Sequence, residues 1–270
     1  MQKYSYFEYN NGEDVTKGAF RISASQVSKF FDTTSDWYRE HLLGETGFEG
    51  NTSSELGNVV HAGIEMFVRE GDVDWDQLQK YINNITNPEV DTYHITNQYE
   101  TMLSAVLPFV ESHMPNEVEK FIFHEILPGI GVGGSIDALR GDTIMDWKTT
   151  SLKTAPTKFS RNYWFQQMTY AWVLKQQGID IRFLKLVYIT QGEVNRVSEK
   201  TGKPLKDYPS TCSVVVEEVT DEKLELIGSC LNLIAESVQM WNEKPELRHL
   251  LAQDMRLKAK PKAKLFIKDG

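Results

Sequence analysis

Residues 131–151, GVGGSIDALRGDTIMDWKTTS, constrain the fold more than any other stretch, because they read as two adjoining β-strands joined by a short turn at Gly141-Asp142. The apolar residues around Asp137 (Ile136, Ala138, Leu139) and before Asp146 (Ile144, Met145) suit buried strands. A hairpin this short lets the two acidic side chains converge at one end of a sheet. Lys148 lies two positions after Asp146 and so on the same face of its strand, since side chains alternate with a period of two. Two carboxylates offer the hard oxygen ligands that select Mg²⁺ or Mn²⁺, whose charge activates water and neutralises negative charge developing on phosphate. The lysine ammonium can stabilise that charge or orient the water. Asp-x-Lys by itself is a common feature of solvated strand ends, so its meaning depends on its surroundings.

Upstream, residues 53–65 open with helix-capping serines, and apolar residues follow at 56, 60, 64, 67 and 68, the spacing of an amphipathic helix. His61 borders the apolar stripe. A lone histidine there is either a hydrogen-bonded core residue or a ligand. Downstream, residues 163–172, YWFQQMTYAW, read as a second helix on which Gln166 and Tyr170, four apart, share a face. Alone, that pair is a helix surface or part of an aromatic core.

Taken in order, Leu-Gly-Asn-Val-Val-His ending at His61, Gly-Ser-Ile-Asp ending at Asp137, Met-Asp-Trp-Lys-Thr around Asp146, and Gln166-x-x-x-Tyr170 resemble the RecB-type branch of the PD-(D/E)XK nuclease superfamily. The run Ile22-Ser23-Ala24-Ser25 resembles the Ser-x-Ser segment that opens this branch. The resemblance spans roughly residues 20 to 190, and the joint order of these motifs is far more specific than any one of them. It implies an α/β fold: a restriction-endonuclease-like core with a central mixed β-sheet flanked by helices. It also implies roles. Asp137 and Asp146 would bind a metal together with the carbonyl oxygen of Trp147, His61 would add a ligand, and Lys148 would act on the water or phosphate. Glu125, on the strand before Asp137, matches an upstream acid that can hold a metal through water. Gln166 and Tyr170, with Ser23 and Ser25, would position the nucleic-acid strand.

One departure narrows the likeness. Many members of this branch carry four cysteines that hold an iron–sulfur cluster, but here residues 32–37, DTTSDW, stand in the first place and the chain has only Cys212 and Cys230. No cluster is expected. The nearer likeness is to cluster-free stand-alone exonucleases, such as the mitochondrial genome maintenance exonuclease and phage enzymes. Two cysteines give no disulfide framework, which fits a reducing cytosol, bacterial or phage-infected.

The 270 residues suffice for one elaborated domain over 1–255, followed by a basic tail at 256–270. No apolar run approaches the roughly 20 residues that span a bilayer, and no signal peptide is visible, so a cytoplasmic protein without a membrane partner is expected. A net charge of −9 does not veto binding to a polyanion when acidic residues serve a metal or lie on other faces. The tail, with Arg256, Lys258, Lys260, Lys262 and Lys264, is either a phosphate-attracting arm or a solvated end. The pattern predicts an N-terminal helical region, the His61 helix, a helical insertion over about 73–117, three strands between about 118 and 149, the Gln166 helix, strands near 182–191 and 212–219, and a C-terminal helix. The insertion reads as an arch over the metal site with aromatics for base stacking, or as a packed peripheral lobe. Residues 192–204 read as a hairpin-like excursion; they lack a phosphate-loop spacing, so any unwinding must come from a replication or recombination partner. The resulting expectation is a Mg²⁺- or Mn²⁺-dependent DNA exonuclease acting from ends, with single strands favoured and 5′-phosphate products. A structure-selective endonuclease on the same core and a non-catalytic DNA-binding module stay open as alternatives.

Overall fold

Three strands in series build the centre of the molecule: β2 (Glu117–Leu127), β3 (Ile130–Arg140) and β4 (Thr143–Thr150), with β5 (Phe183–Thr190) and β6 (Cys212–Glu218) extending the sheet and β1 (Phe20–Ser23) joining from the N-terminal side. The computed structural model describes residues 16, 19–45, 50–193, 197–198, 201–244 and 246–247. The basic residues at 256–264, and 194–196 and 199–200 of the excursion, lie outside them.

β3 is buried along most of its length, as its nearly unbroken small and apolar sequence requires. β2 pairs with it antiparallel from Glu117↔Leu139 to Leu127↔Ile130. A strand has two edges, so β1 and β4 share the other. β1 runs parallel to β3 over Phe20↔Ile130 to Ser23↔Gly133, and β4 pairs antiparallel only over Ala138↔Met145 to Arg140↔Thr143. Gly141 closes that hairpin at φ +57°, a backbone conformation glycine adopts without a Cβ penalty. Beyond Met145 the two strands part, and the sheet forks. β4 then runs parallel to β5 along its whole length, and β6 lies antiparallel on the far side of β5. Both parallel and antiparallel neighbours are present, as expected of a mixed sheet. β1 corrects the expectation of a purely helical N-terminal region: four residues are too few to show strand periodicity, and their partner lies more than 100 residues away.

Helices cover both faces. On one side α1 (Val27–Asp32), α2 (Thr34–Leu42), α6 (Arg161–Gln176) and α7 (Asp221–Glu243) enclose a core with Trp37, Tyr38, Ile136, Ile144, Met168 and Ile234. On the other, α3 (Thr52–Glu70), α4 (Trp75–Asn83) and α5 (Thr92–Ser112) enclose Val60, Leu103, Val106, Trp147, Val187 and Ile189. Local chemistry sets the ends of these helices. Asn51 and Ser54 form a reciprocal capping box that starts α3, and Gly71 at φ +80° ends it. Ser160 starts α6 by accepting from the Tyr163 N–H.

The helical insertion packs on the sheet: Ile82, Tyr99, Met102 and Val110 sit in the same core as the sheet residues, while Trp75 and Tyr93 are exposed. Bridges Glu193↔Tyr208 and Val197↔Pro204 give the excursion after β5 its hairpin-like form. No described helix is long and apolar enough to cross a membrane.

Candidate active site

The fork brings the acidic residues together. Asp137 and Asp146 occupy the position just past the last β3–β4 pair, Ala138↔Met145. Where the ladder stops, a side chain replaces a backbone partner: the Trp147 N–H donates to Asp137 Oδ2 at 2.9 Å. The Trp147 carbonyl accepts from His61 Nε2 at 2.8 Å, and His61 Nδ1 lies 3.6 Å from Asp137 Oδ2. A carbonyl can only accept, so Nε2 carries the proton in this pair and Nδ1 carries the lone pair. α3 thus delivers the imidazole, and the Trp147 side chain anchors β4 in the core beneath α3.

Asp146 is 1% exposed and gripped from two sides. Lys148 Nζ approaches Oδ2 at 2.6 Å, and Gln167 Nε2 on α6 donates to Oδ1 at 2.7 Å. The Lys148 ammonium also lies 4.9 Å from the centre of the Tyr163 ring. Gln166 and Tyr170 do share a helix face, with Gln166 Nε2 donating to Tyr170 Oη at 3.3 Å. Gly134 makes room for this pair, since a Cβ there would stand 3.0 Å from the tyrosine oxygen. Ser23 and Ser25 face each other at 3.3 Å between their hydroxyls, with Ser23 paired to Gly133, next to the Gly134 that faces Tyr170.

Glu125 is not brought to this group, which corrects the expectation for it. It pairs with Gly131 and its carboxylate accepts from the Gly129 N–H at 2.5 Å, capping the opposite end of the hairpin. Six residues of strand separate it from the level of Asp137, about 20 Å. Glu119 holds that level instead. It falls between the pairs Val118↔Ala138 and Lys120↔Ile136, opposite Asp137, and His61, Glu119 and Asp137 offer ligand atoms within 4.8 Å of one another. Its φ of +50° is the only positive value among the described non-glycine residues, a strain of about 1–3 kcal/mol that the surrounding strand pairing holds in place. Glu65, 2% exposed and paired with Arg69 at 2.8 Å, lies behind it.

Sequence reasoning missed Glu119, Gln167 and Tyr163. Counting back from the Pro128-Gly129 turn would have set Glu119 opposite Ala138; the bulge between Glu125 and Leu127 shifts the register by one and brings Glu119 opposite Asp137. Gln167 is a neighbour of Gln166, and only the rotation of α6 against the sheet decides which of the two faces Asp146.

The charges depart far from their values in water. Burial pushes the Asp146 carboxyl up to about 6 against the opposing Lys148 ammonium. Burial, with Asp137 and Glu65 nearby, pushes Glu119 up to about 9. Asp137 is also raised, by burial that outweighs Lys148 and the Trp147 N–H. Burial works against a charged Lys148, yet Asp146 and Asp137 hold its ammonium above the ordinary lysine range. Burial, then Lys148, lowers His61 to about 4, so its imidazole is neutral and able to ligate. Glu119→Gln keeps the shape and removes one anionic ligand. It is expected to weaken Mn²⁺ binding by about tenfold or more with an unchanged circular dichroism spectrum; equal calorimetric affinity in the two proteins would remove Glu119 from the site.

A six-stranded mixed sheet enclosed by helices, with an Asp, an Asp-x-Lys and a histidine meeting where it forks, is a restriction-endonuclease-like core. The sequence profile of the PD-(D/E)XK nuclease superfamily matches residues 21–255, and the chain belongs to that superfamily. Comparison with curated proteins gave no match by sequence. Among solved structures, a protein from Eubacterium rectale named "Putative exonuclease" is similar with a TM-score of 0.53 and 18% identity, over 86% of this chain and 84% of its own. The alkaline exonuclease LHK-Exo from Laribacter hongkongensis matches with a TM-score of 0.38 and 14% identity, over 89% and 96% of the two chains. A phage-related exonuclease from Haemophilus somnus 129PT matches with a TM-score of 0.43 and 12% identity, over 82% and 96%. At these identities the first of them shares the fold.

Proposed function

We propose that this protein is a Mg²⁺- or Mn²⁺-dependent deoxyribonuclease that hydrolyses DNA from its ends, acts preferentially on single strands and leaves 5′-phosphates. The observation that carries the reading is the convergence of three carboxylates, one imidazole, one backbone carbonyl and one ammonium at the fork of the sheet. Asp137, Asp146, Glu119 and the Trp147 carbonyl offer hard oxygens and His61 a neutral nitrogen, a set that suits Mg²⁺ or Mn²⁺. A cation held there would lower the pKa of water and polarise the phosphate.

The chain's own groups divide the remaining work. Gln167 fixes the orientation of the Asp146 carboxylate from behind, leaving its other oxygen toward Lys148. Lys148 keeps its proton and presents a fixed positive charge to the phosphoryl oxygens as they gain negative charge. Tyr163 packs against that ammonium and limits its swing. Gln166, Tyr170, Ser23 and Ser25 line the approach to the scissile bond, where polar donors can orient the strand. Action from an end is supported by the name that the Eubacterium rectale neighbour carries.

Cation binding is expected to strengthen as pH rises from about 6 to about 9, because Asp146 releases its proton near the lower end of that interval and Glu119 near the upper end, and both must be deprotonated to ligate. The metal-free fold follows the same linkage with the opposite sign. Carboxyl pKa values raised on folding mean that the native state binds more protons than the unfolded chain, so Tm of the metal-free protein falls as pH rises through this window. Melting curves with and without Mn²⁺ across that range check both slopes.

The functional test compares end-labelled linear single strands with closed circular single strands in Mg²⁺ and in Mn²⁺. Degradation of linear DNA alone is the expected result. Cutting of circles makes the protein an endonuclease, and DNA binding without cleavage in either metal makes it a binding module.

A further inference from the structure

We propose that the cavity between the 151–160 loop and β6 is a phosphate subsite, which holds a neighbouring phosphodiester of the strand whose scissile bond lies at Lys148. It rests on the reading of the protein as a nuclease.

The loop stands at the mouth of the site because both of its ends are fixed there. It leaves β4 just past Lys148, where the Thr150 carbonyl accepts from the Gln191 N–H at 2.9 Å. It ends at α6, whose Tyr163 ring lies 4.9 Å from the Lys148 ammonium. Its charge is one-sided. The chain carries 38 acidic residues, yet none falls between Thr149 and Tyr163, which include Lys153, Lys158 and Arg161. Arg161 is engaged by Asp32. Lys153 and Lys158 are exposed, and the Lys153 ammonium lies 4.6 Å from the centre of the Tyr208 ring, which keeps it beside the cleft.

The cavity has a volume of about 370 Å³, and the polar residues that line it are Lys153, Thr154, Thr157, Thr211 and Ser213, with no acidic residue among them. Such a lining offers hydrogen-bond donors and positive charge, which match the oxygens of a phosphodiester. Ser213 Oγ is buried and has no hydrogen-bond partner among the described residues, a cost that a ligand oxygen would relieve. Register sets the distance to the chemistry. Lys148 pairs with Tyr188, and Tyr188 with Ser213, so the three lie in one row across adjacent strands. Strand spacing puts Ser213 about 10 Å from the Lys148 position and on the same face of the sheet. A single strand whose scissile phosphate meets Lys148 would therefore carry an adjacent phosphate into the reach of Lys153 and Ser213.

The test uses Lys153→Ala and Ser213→Val in the full chain, with Lys80→Ala on α4 as a charge-matched control away from the cleft. For a fluorescein-labelled single-stranded oligonucleotide, Lys153→Ala is expected to raise KM about tenfold with little change in kcat. It should also reduce the salt slope of log K by about 0.7, the value of one phosphate contact on a single strand. Ser213→Val, which fills the cavity and removes the donor, should raise KM in the same direction. The p-nitrophenyl ester of thymidine 5′-phosphate has no second phosphodiester, and its hydrolysis should be unchanged in both variants. Should the wild-type protein cleave nothing, oligonucleotide binding in Ca²⁺ followed by fluorescence anisotropy still reads the slope: a reduced slope supports the subsite while the nuclease reading fails. A KM and a salt slope equal to those of the wild type and of Lys80→Ala would overturn the subsite.

Discussion

Asp146→Asn is expected to lose metal-dependent DNA cleavage by about 10³-fold or more while keeping the native fold. The asparagine keeps the volume of the side chain and retains an oxygen for Gln167 Nε2, which Asp146 now satisfies at 2.7 Å. What disappears is the negative charge that a cation and the Lys148 ammonium both require. The usual alanine change is a poorer probe. Asp146 is 1% exposed, so alanine also leaves the Gln167 amide without its acceptor, and such an orphaned group costs about 1–3 kcal/mol. Loss of activity in the alanine protein would then mix chemistry with stability. Turnover by Asp146→Asn at the wild-type rate, with its melting curve unchanged, would refute the site.

Lys148→Met separates holding a cation from using it. Cleavage is expected to fall by about 10²–10³-fold, the usual cost of removing one preorganised group that stabilises transition-state charge. Cation affinity should move the other way and hold or rise. The ammonium sits 2.6 Å from Asp146 Oδ2 and neutralises a carboxylate that a cation would otherwise claim. Methionine keeps the unbranched stem packed near Tyr163 and removes only the charge. Calorimetry with Mn²⁺ alongside single-turnover cleavage gives both numbers. Parallel loss of binding and cleavage would mean that Lys148 organises the carboxylates and does not act on the phosphate.

The central hairpin was legible because its signals are local: a Gly-Asp turn, apolar strands on each side and a lysine two positions from an aspartate. The amphipathic helix that supplies His61 and the helix that carries Tyr170 were legible for the same reason. What sequence could not give were relations between distant segments. β1 becomes a strand only by pairing with Gly131–Gly133. Glu119 and Glu125 share a strand and a chemistry, and only the β2–β3 register decides that the former faces Asp137. Gln166 and Gln167 differ by one step of a helix, and the docking of α6 on the sheet turns the second toward Asp146. The insertion had helical periodicity under both of its readings. Its contacts with β4 and β5 residues make it part of the core.

The shared edge of β3 also orders events during folding. β2, β3 and β4 are joined by short turns, so their pairing closes small loops and can form early. β1 must find β3 across the whole of α1 to α5, from Phe20 to Ile130, and the chain entropy of that closure has to be met before its four residues return any stabilisation. On a growing chain β1 is made before its partner and waits for β3 to be synthesised. The hairpin that carries both aspartates can therefore form before β1 docks, and before α6 has been synthesised to bring Gln167 to Asp146.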